Sequence, residues 1–191
     1  MTRIGLLGGT FDPPHVAHVA MADAAREHLG LDRVLFVPAM SPPHKSPDSL
    51  SSYDHRLRMT EIAAQAIGAE VSRAEEKRDG PSFTVDLLRE FRAQGDVDLY
   101  FIMGADSLRD LPLWREAEAI LDLCTLVIFP RDDIPVVSTV GERASLVIFE
   151  EPKIEVASHE IREILGRGES ARGLVPQAVL DYIEETGLYR T

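Results

Sequence analysis

The sequence predicts an α/β fold of the Rossmann-like, doubly wound kind, a mainly parallel sheet with helices on both faces. Two observations carry this reading. Strand-like apolar runs alternate with helical segments along most of the chain, and Gly-Gly-Thr-Phe-Asp-Pro-Pro-His falls where the first strand gives way to the first helix. In an open sheet of this type ligands gather beyond the carboxyl ends of the strands. The segment after each strand is therefore where function is sought.

Composition sets the outer bounds. A chain of 191 residues with 45% hydrophobic content supports a single domain, residues 1–191, with a sizeable core. A formal net charge of −12 argues against a nucleic-acid binder or a polybasic membrane binder, because polyanions would be repelled over long range. Local donors must then override the global field for any phosphorylated substrate. Cys124 is the only cysteine and lies in the apolar run 121–129, so it reads as a buried, inert thiol with no disulfide partner. No apolar run approaches ~18 residues and no signal-like segment precedes the first strand, from which a soluble cytoplasmic protein is expected. There is no internal repeat or long linker.

In chain order, the first strand is Arg3 to Leu7 and the first helix covers residues 16–29. Between them, Gly8 and Gly9 allow close backbone approach, and Pro13 and Pro14 stiffen the entry to the helix. His15 and His18 would share one face of the first turn, where unpaired N–H groups and the positive dipole end favour an anion. Spacing alone also admits a plain turn with surface histidines. It admits a zinc site too, although no glutamate or cysteine ligand lies nearby. Neither a Gly-x-Gly-x-x-Gly nor a Gly-x-x-x-x-Gly-Lys-Ser/Thr element is present.

The second strand, Arg33 to Pro38, leads into the proline-rich loop Pro38-Ala39-Met40-Ser41-Pro42-Pro43-His44-Lys45-Ser46-Pro47, whose stiffness could carry a cation to the first site. A scaffold helix follows over 53–67, with Leu57, Ile62 and Ala66 apolar and Arg56, Arg58 and Glu61 polar. After a short strand at Glu70 to Arg73, Gly80-Pro81-Ser82-Phe83-Thr84 opens a helix over 83–94 with Ser82 as its N-cap. The fourth strand, Asp98 to Met103, ends at Gly104, which permits close approach. Asp106 then offers a carboxylate for ribose hydroxyls or a metal. Trp114 starts a helix over 113–122 and by itself reads as a core anchor. The fifth strand, Thr125 to Pro130, delivers Arg131, a surface cation or a phosphate contact. Residues 132–141 read as irregular loop. A strand at Ser145 to Phe149 and an apolar segment at Ile154 to Ala157 precede Ser158, placed as N-cap of a helix over 159–167 with Arg162 one turn on, a second anion site. Residues 176–186 form a closing helix.

The stretch GGTFDPPHVAH resembles the signature of the nucleotidyltransferase superfamily, whose His-x-Gly-His element follows the first strand. Within it, the chain resembles the bacterial nicotinate-nucleotide adenylyltransferases. Further matches are Pro-Pro-His-Lys at 42–45, Pro-Ser-Phe-Thr at 81–84, Gly-Ala-Asp-Ser at 104–107, the lone Trp114, and a partial Ile-Ser-Ser-Thr-x-Ile-Arg at 156–162. The departures are Ala17 for glycine, Leu87 for threonine, Ala157 for serine and His159 for threonine. The resemblance implies that Gly8, Gly9, Thr10 and Phe11 cradle ATP and that His15 and His18 hydrogen-bond its triphosphate. Gly104, Asp106, Ser158 and Arg162 complete the ATP site. Thr84 and Trp114 border a pyridine ring, and the segment with His44 and Lys45 closes over the nucleotide phosphates on the mononucleotide side, where the strand-end position of Arg131 would add a further contact. Catalysis would rest on His15, His18, Lys45 and Arg162.

The implied reaction is adenylyl transfer from ATP to nicotinate mononucleotide, giving nicotinate adenine dinucleotide and pyrophosphate in NAD biosynthesis. Mg²⁺ would arrive with ATP, with no dedicated protein metal site. Both reacting groups are ionised phosphates, so alignment and charge neutralisation are the task, and no covalent intermediate is required. A phosphopantetheine adenylyltransferase or cytidylyltransferase would share the first signature without the later matches. A catalytically silent nucleotide-binding module is a rival from another class. Small-molecule substrates, with no nucleic acid and no membrane, are the expected partners. The choice between acid and amide pyridine and the existence of a homo-oligomer are left open.

Overall fold

The computed structural model describes residues 1–131 and 144–190. Six strands form one parallel sheet: β1 (Thr2–Gly9), β2 (Arg33–Pro38), β3 (Glu70–Val71), β4 (Val97–Gly104), β5 (Thr125–Phe129) and β6 (Leu146–Ile148), in the order β3-β2-β1-β4-β5-β6. β1 pairs with β2 from Ile4 opposite Arg33 to Gly9 opposite Pro38, and with β4 from Thr2 opposite Val97 to Leu7 opposite Ile102. The chain winds outward through β2 and β3, then returns across β1 to start the other half at β4. The crevice above this reversal is where such sheets bind ligands.

The inner strands β1, β2, β4 and β5 carry apolar runs because both sheet faces are covered there, whereas the edge strands β3 and β6 are partly exposed. Along β4, Leu99, Phe101 and Met103 enter one core layer and Tyr100 and Ile102 the other, as the two-residue period of a strand requires. The first layer packs against α3 (Thr84–Arg92) and α5 (Ala117–Leu123), through Val85, Leu88 and Ile120. The second packs against α1 (Val16–Leu29) through Ala22 and Ala25, and against Ala64 of α2 (Tyr53–Gln65). A third cluster joins α2 to α6 (Ser158–Gly166) and α7 (Gln177–Thr186) through Met59, Ala63, Ile161, Val179 and Ile183. This cluster brings the start of α6 over the β1–α1 loop.

Most expected elements are present, with instructive differences. Gly8 and Gly9 continue β1 and pair with Val37 and Pro38, so the turn comes later, at Phe11. The helix expected over 113–122 is broken. A short helix α4 (Ala105–Asp110) and a 3₁₀ turn (Leu111–Leu113) precede Trp114, and α5 begins only after Glu116, whose φ of 51° no helix accommodates. Pro112 denies the chain a backbone donor at this corner. Phe83, not Ser82, occupies the cap position of α3, and Ala157, not Ser158, that of α6. The irregular loop expected over 132–141 lies outside the described residues. Among the described residues no helix is long and apolar enough to cross a membrane.

Ile161 is fully buried where α6 meets α2 and α7. Truncation to alanine should cost about 2–5 kcal/mol in urea unfolding, the range for opening a core cavity. A loss under ~1 kcal/mol would mean that α6 is not held by this cluster.

Candidate active site

The β1–α1 loop folds around a strained residue. Phe11 takes φ 51° although it carries a bulky ring, and that ring is buried against Phe36 and edge-on to His18, with centroids 5.0 Å apart at 75°. A Cβ on Gly9 would lie 2.9 Å from this ring, so only glycine fits beside it. Phe11 therefore acts as a wedge that places His18, beyond the backbone cradle expected of it.

His15 and His18 meet face to face, their centroids 3.7 Å apart and their planes 23° from parallel. His15 occupies the cap position of α1, and its backbone N–H donates to His18 Nδ1 at 3.2 Å. That bond makes Nδ1 the acceptor, so a neutral His18 carries its proton on Nε2. Burial, then the Arg131 charge, pushes His15 down to about 4. Burial, then His15 and Lys45, holds His18 well below the ordinary imidazole value. Two neutral rings can stack closely where two imidazolium ions would repel. His15 Nδ1 is buried without a hydrogen-bond partner, a deficit of roughly 1–3 kcal/mol that a bound donor or acceptor would relieve.

The helix starts are less open to an anion than the sequence suggests. At α1 the His15 N–H is taken by His18, and the Val16 N–H by the Leu174 carbonyl at 3.0 Å. At α6 the Glu160 carboxylate accepts from the Ala157 N–H at 3.0 Å, the half of a capping box that needs no hydroxyl at 157. Ser158 instead donates through Oγ to the Pro13 carbonyl at 2.9 Å, and Arg162 donates to the Asp12 carbonyl at 2.7 Å. Both expected ATP contacts thus dock α6 onto the β1–α1 loop. His159 is exposed, and Ala17 buries its methyl at 6% exposure, packed into the fold.

Cations gather around the imidazoles. Arg131 sits close enough to depress His15 and pairs with Asp106 at 3.6 Å. Lys45 has an exposed side chain, yet partial burial of its ammonium, then Arg162, lowers its pKa while Asp12 raises it. Positive charge is thereby concentrated at one spot of an acidic protein. A Cβ on Gly104 would fall 2.7 Å from Asp106 Oδ1, so the missing side chain lets that carboxylate fold back over the end of β4.

Beside this cluster opens a cleft of about 490 Å³ at the ends of β1, β2 and β4. Gly8, Gly9, Thr10, His44, Thr84 and Trp114, all expected from the sequence, line it, whereas His15, His18, Lys45, Asp106, Arg131, Ser158 and Arg162 do not. Trp114 stands edge-on to Phe101 at 6.2 Å, making a flat apolar wall. Leu87, buried in the core, also reaches the cleft. Ser82 and Ser41 bond reciprocally, Ser82 N–H to Ser41 O at 2.8 Å and Ser41 N–H to Ser82 Oγ at 3.0 Å. The His44–Lys45 loop is thus fastened to the start of α3.

Several participants were missed. Arg115 lines the cleft with its guanidinium 4.7 Å over the Phe83 ring, and pairs with Asp86 at 3.3 Å. Arg56, read only as a polar position of a scaffold helix, is 2% exposed. Asp12 is buried as well and is reached by Tyr189 near the end of the chain. Only Asp12 gave any signal, by lying inside the motif. Cys124 is buried as expected, donates to the Ile120 carbonyl at 3.4 Å and has its thiol pushed up to about 12 by burial.

The arrangement pairs a cationic end holding two hydrogen-bonding imidazoles with a flat-walled apolar cleft, which suits a polyphosphate joined to an aromatic ring. Comparison with known proteins gives the same picture. Residues 6–164 match the cytidylyltransferase-like family model. A probable nicotinate-nucleotide adenylyltransferase of Thermus thermophilus is 46% identical over 98% of this chain and 100% of its own. That of a Roseiflexus species is 41% identical over 98% of each. The nicotinic acid mononucleotide adenylyltransferase of Plasmodium falciparum, solved with NaAD, has a TM-score of 0.84 at 21% identity, covering 99% of this chain and 98% of that one, a likeness of fold.

The buried imidazole has a measurable signature. Unfolded His15 titrates near 6.5 and folded His15 near 4, so between those values the unfolded chain binds more protons. Stability should fall as the pH drops through that window, with His15 accounting for about 3 kcal/mol of the loss. Urea midpoints from pH 7 to 4 should decline less steeply for His15→Gln than for the parent. Parallel profiles would contradict the buried, neutral state.

Proposed function

The chain belongs to the nicotinate-nucleotide adenylyltransferases of the cytidylyltransferase-like family, and we propose that it joins nicotinate mononucleotide to the adenylyl group of ATP. A 5′-phosphate oxygen of the mononucleotide attacks the α-phosphorus, the bond to the bridging oxygen breaks, and pyrophosphate departs with its electrons. Nicotinate adenine dinucleotide is the other product. The observation that carries this reading is the stacked His15–His18 pair with its orphaned buried nitrogen, set between Lys45, Arg131 and a cleft walled by Trp114.

Neither phosphate needs activation by a base, so the residues act by alignment and by charge. In this reading His18 donates through Nε2–H to a triphosphate oxygen, and His15 completes its hydrogen bonding on the same group. Lys45 and Arg162 neutralise charge that moves from the attacking to the leaving oxygens, while Arg131 faces the mononucleotide phosphate. Gly8 and Gly9 bring bare backbone beside the nucleotide and Thr10 adds its hydroxyl, while Asp106 accepts from ribose hydroxyls once it leaves Arg131. Thr84 and His44 border the mononucleotide in the cleft, where the pyridine ring lies against Trp114.

Mg²⁺ would come bound to ATP. Among the described residues no three His, Cys, Asp or Glu side chains converge as a metal site, and Asp12 is already engaged by Tyr189 and Ser51. Such a donor set fits an ion held by phosphate oxygens and water, where it would neutralise triphosphate charge. A cytoplasmic setting is part of the proposal, since both substrates are soluble intracellular metabolites.

A pyrophosphate-release assay with ATP and either nicotinate or nicotinamide mononucleotide tests the reaction directly. Release that depends on the nicotinate compound is expected, and release with neither would refute the proposal. His18→Ala should lower kcat at least ~100-fold with the fold intact, the scale for losing one transition-state donor. Trp114→Ala should raise KM for the mononucleotide more than KM for ATP. Equal increases would remove Trp114 from the pyridine site.

A further inference from the structure

One buried cation ties together the two loops that carry the reacting phosphates' contacts. Arg56, on the first turn of α2, is 2% exposed and its guanidinium makes four bonds to carbonyl oxygens. Nη1 donates to Thr10 at 2.9 Å in the β1–α1 loop and to Ala39 at 2.7 Å in the β2–α2 loop. Nη2 reaches Met40 at 3.3 Å, and Nε reaches Ser51 at 3.1 Å. The same Ser51 donates its N–H to the Asp12 carboxylate at 3.1 Å. Tyr189 donates to the other Asp12 oxygen at 2.6 Å, and Arg162 to the Asp12 carbonyl. Tyr189 takes φ 67° to do so, a strained conformation for an aromatic residue that persists only where its surroundings hold it.

We infer that Arg56 is a positioning residue, and that with Asp12 and Tyr189 it fixes the spacing between the imidazole loop and the His44–Lys45 loop. The chemistry favours arginine alone. Its planar fork offers donors in several directions, so one side chain can satisfy carbonyls from segments 46, 17, 16 and 5 residues away in sequence. A lysine ammonium concentrates its donors on one nitrogen, so it could at best replace the Nη1 bonds to Thr10 and Ala39 and would leave the Met40 and Ser51 carbonyls without theirs. Among the described residues no carboxylate pairs directly with the guanidinium, so the ordered carbonyls, with the nearby Asp12 charge, are what make its burial tolerable. Loosening it would free both loops together. A shift of ~1 Å between His18 and Lys45 suffices to lose up to ~100-fold in rate when catalysis depends on alignment. Arg56 does not line the cleft, so its effect would pass through the loops.

The inference rests on the adenylyl-transfer reading, and its test separates the two. Arg56→Gln and Arg56→Lys are compared with the parent by kcat and KM at a temperature where each is fully folded, and by amide hydrogen exchange of the free proteins. The expected result is a kcat reduced at least ~10-fold in both variants, with both KM values within about threefold. Exchange should quicken in residues 10–12 and 39–46 together while β4 and β5 keep their protection. Guanidinium ion should restore part of the Gln variant's kcat, which a purely structural defect would not show. A folded Lys variant with parental kcat, or exchange that quickens in only one loop, would overturn the proposal. Should Arg56→Gln fail to fold, Tyr189→Phe replaces it. That change removes one hydroxyl from Asp12, and an unaltered kcat together with unaltered loop exchange would overturn the clamp. A parent inactive with every pyridine mononucleotide sinks the functional reading, and the exchange data then judge the clamp alone.

Discussion

The face-to-face contact between His15 and His18 is the interaction on which the site depends. Two imidazolium ions could not stack this closely, and burial keeps both rings neutral by penalising their charged forms. Neutrality in turn gives His18 a defined tautomer, because its Nδ1 is engaged by the His15 backbone. The result is a proton donor with fixed direction that needs no ionisation to act. Phe11, held in a left-handed conformation, walls the rings from one side, and Arg131 and Lys45 raise the local potential from others. A polyphosphate entering this spot would find cations, a fixed N–H and an unsatisfied nitrogen. The overall acidity of the chain sets the background against which that small positive region works.

The scaffold explains why the region is preorganised. β1 is central in the sheet, paired with β2 as far as Gly9 and with β4 as far as Leu7, so the loop begins from a rigid base. Its far end is docked by α6 through Ser158 and Arg162, and α6 is anchored in turn by the cluster it shares with α2 and α7. The His44–Lys45 loop is fixed at one end to β2 and fastened to the start of α3 by the Ser41–Ser82 pair. Two connections between strand and helix thereby line one cleft. In such an enzyme much of the rate would come from alignment, and rigidity of this kind supplies it before substrate arrives.

How far the sequence discloses this depends on the range of the interactions. Strands buried on both faces read clearly as apolar runs, and all six appear in the sheet, although β3 shrinks to Glu70 and Val71. His15 and His18 do meet, but His15 is an extended cap residue just outside α1 and not a member of its first turn, so helical spacing alone does not account for the stack. The corner around Trp114 was misread because a left-handed Glu116 has no propensity signature, and α4 was missed because a six-residue helix leaves little periodicity. Ser82 and Ser158 carried the residue type of a helix cap, but tertiary partners at Ser41 and Pro13 claim their hydroxyls. Arg56 and Tyr189 were out of reach. Burying an arginine needs carbonyls from separate segments, and Tyr189 meets Asp12 across 177 positions, so local pattern cannot register either contact.

The central claim is that both stacked imidazoles meet the triphosphate. Imidazole nitrogen spectra of the histidine-labelled protein, titrated with a non-hydrolysable ATP analogue, address it most directly. The account predicts that the resonances of His15 and His18 shift together at saturation while those of His28 and His55 stay in place. Binding of the analogue with both His15 and His18 unperturbed would contradict it.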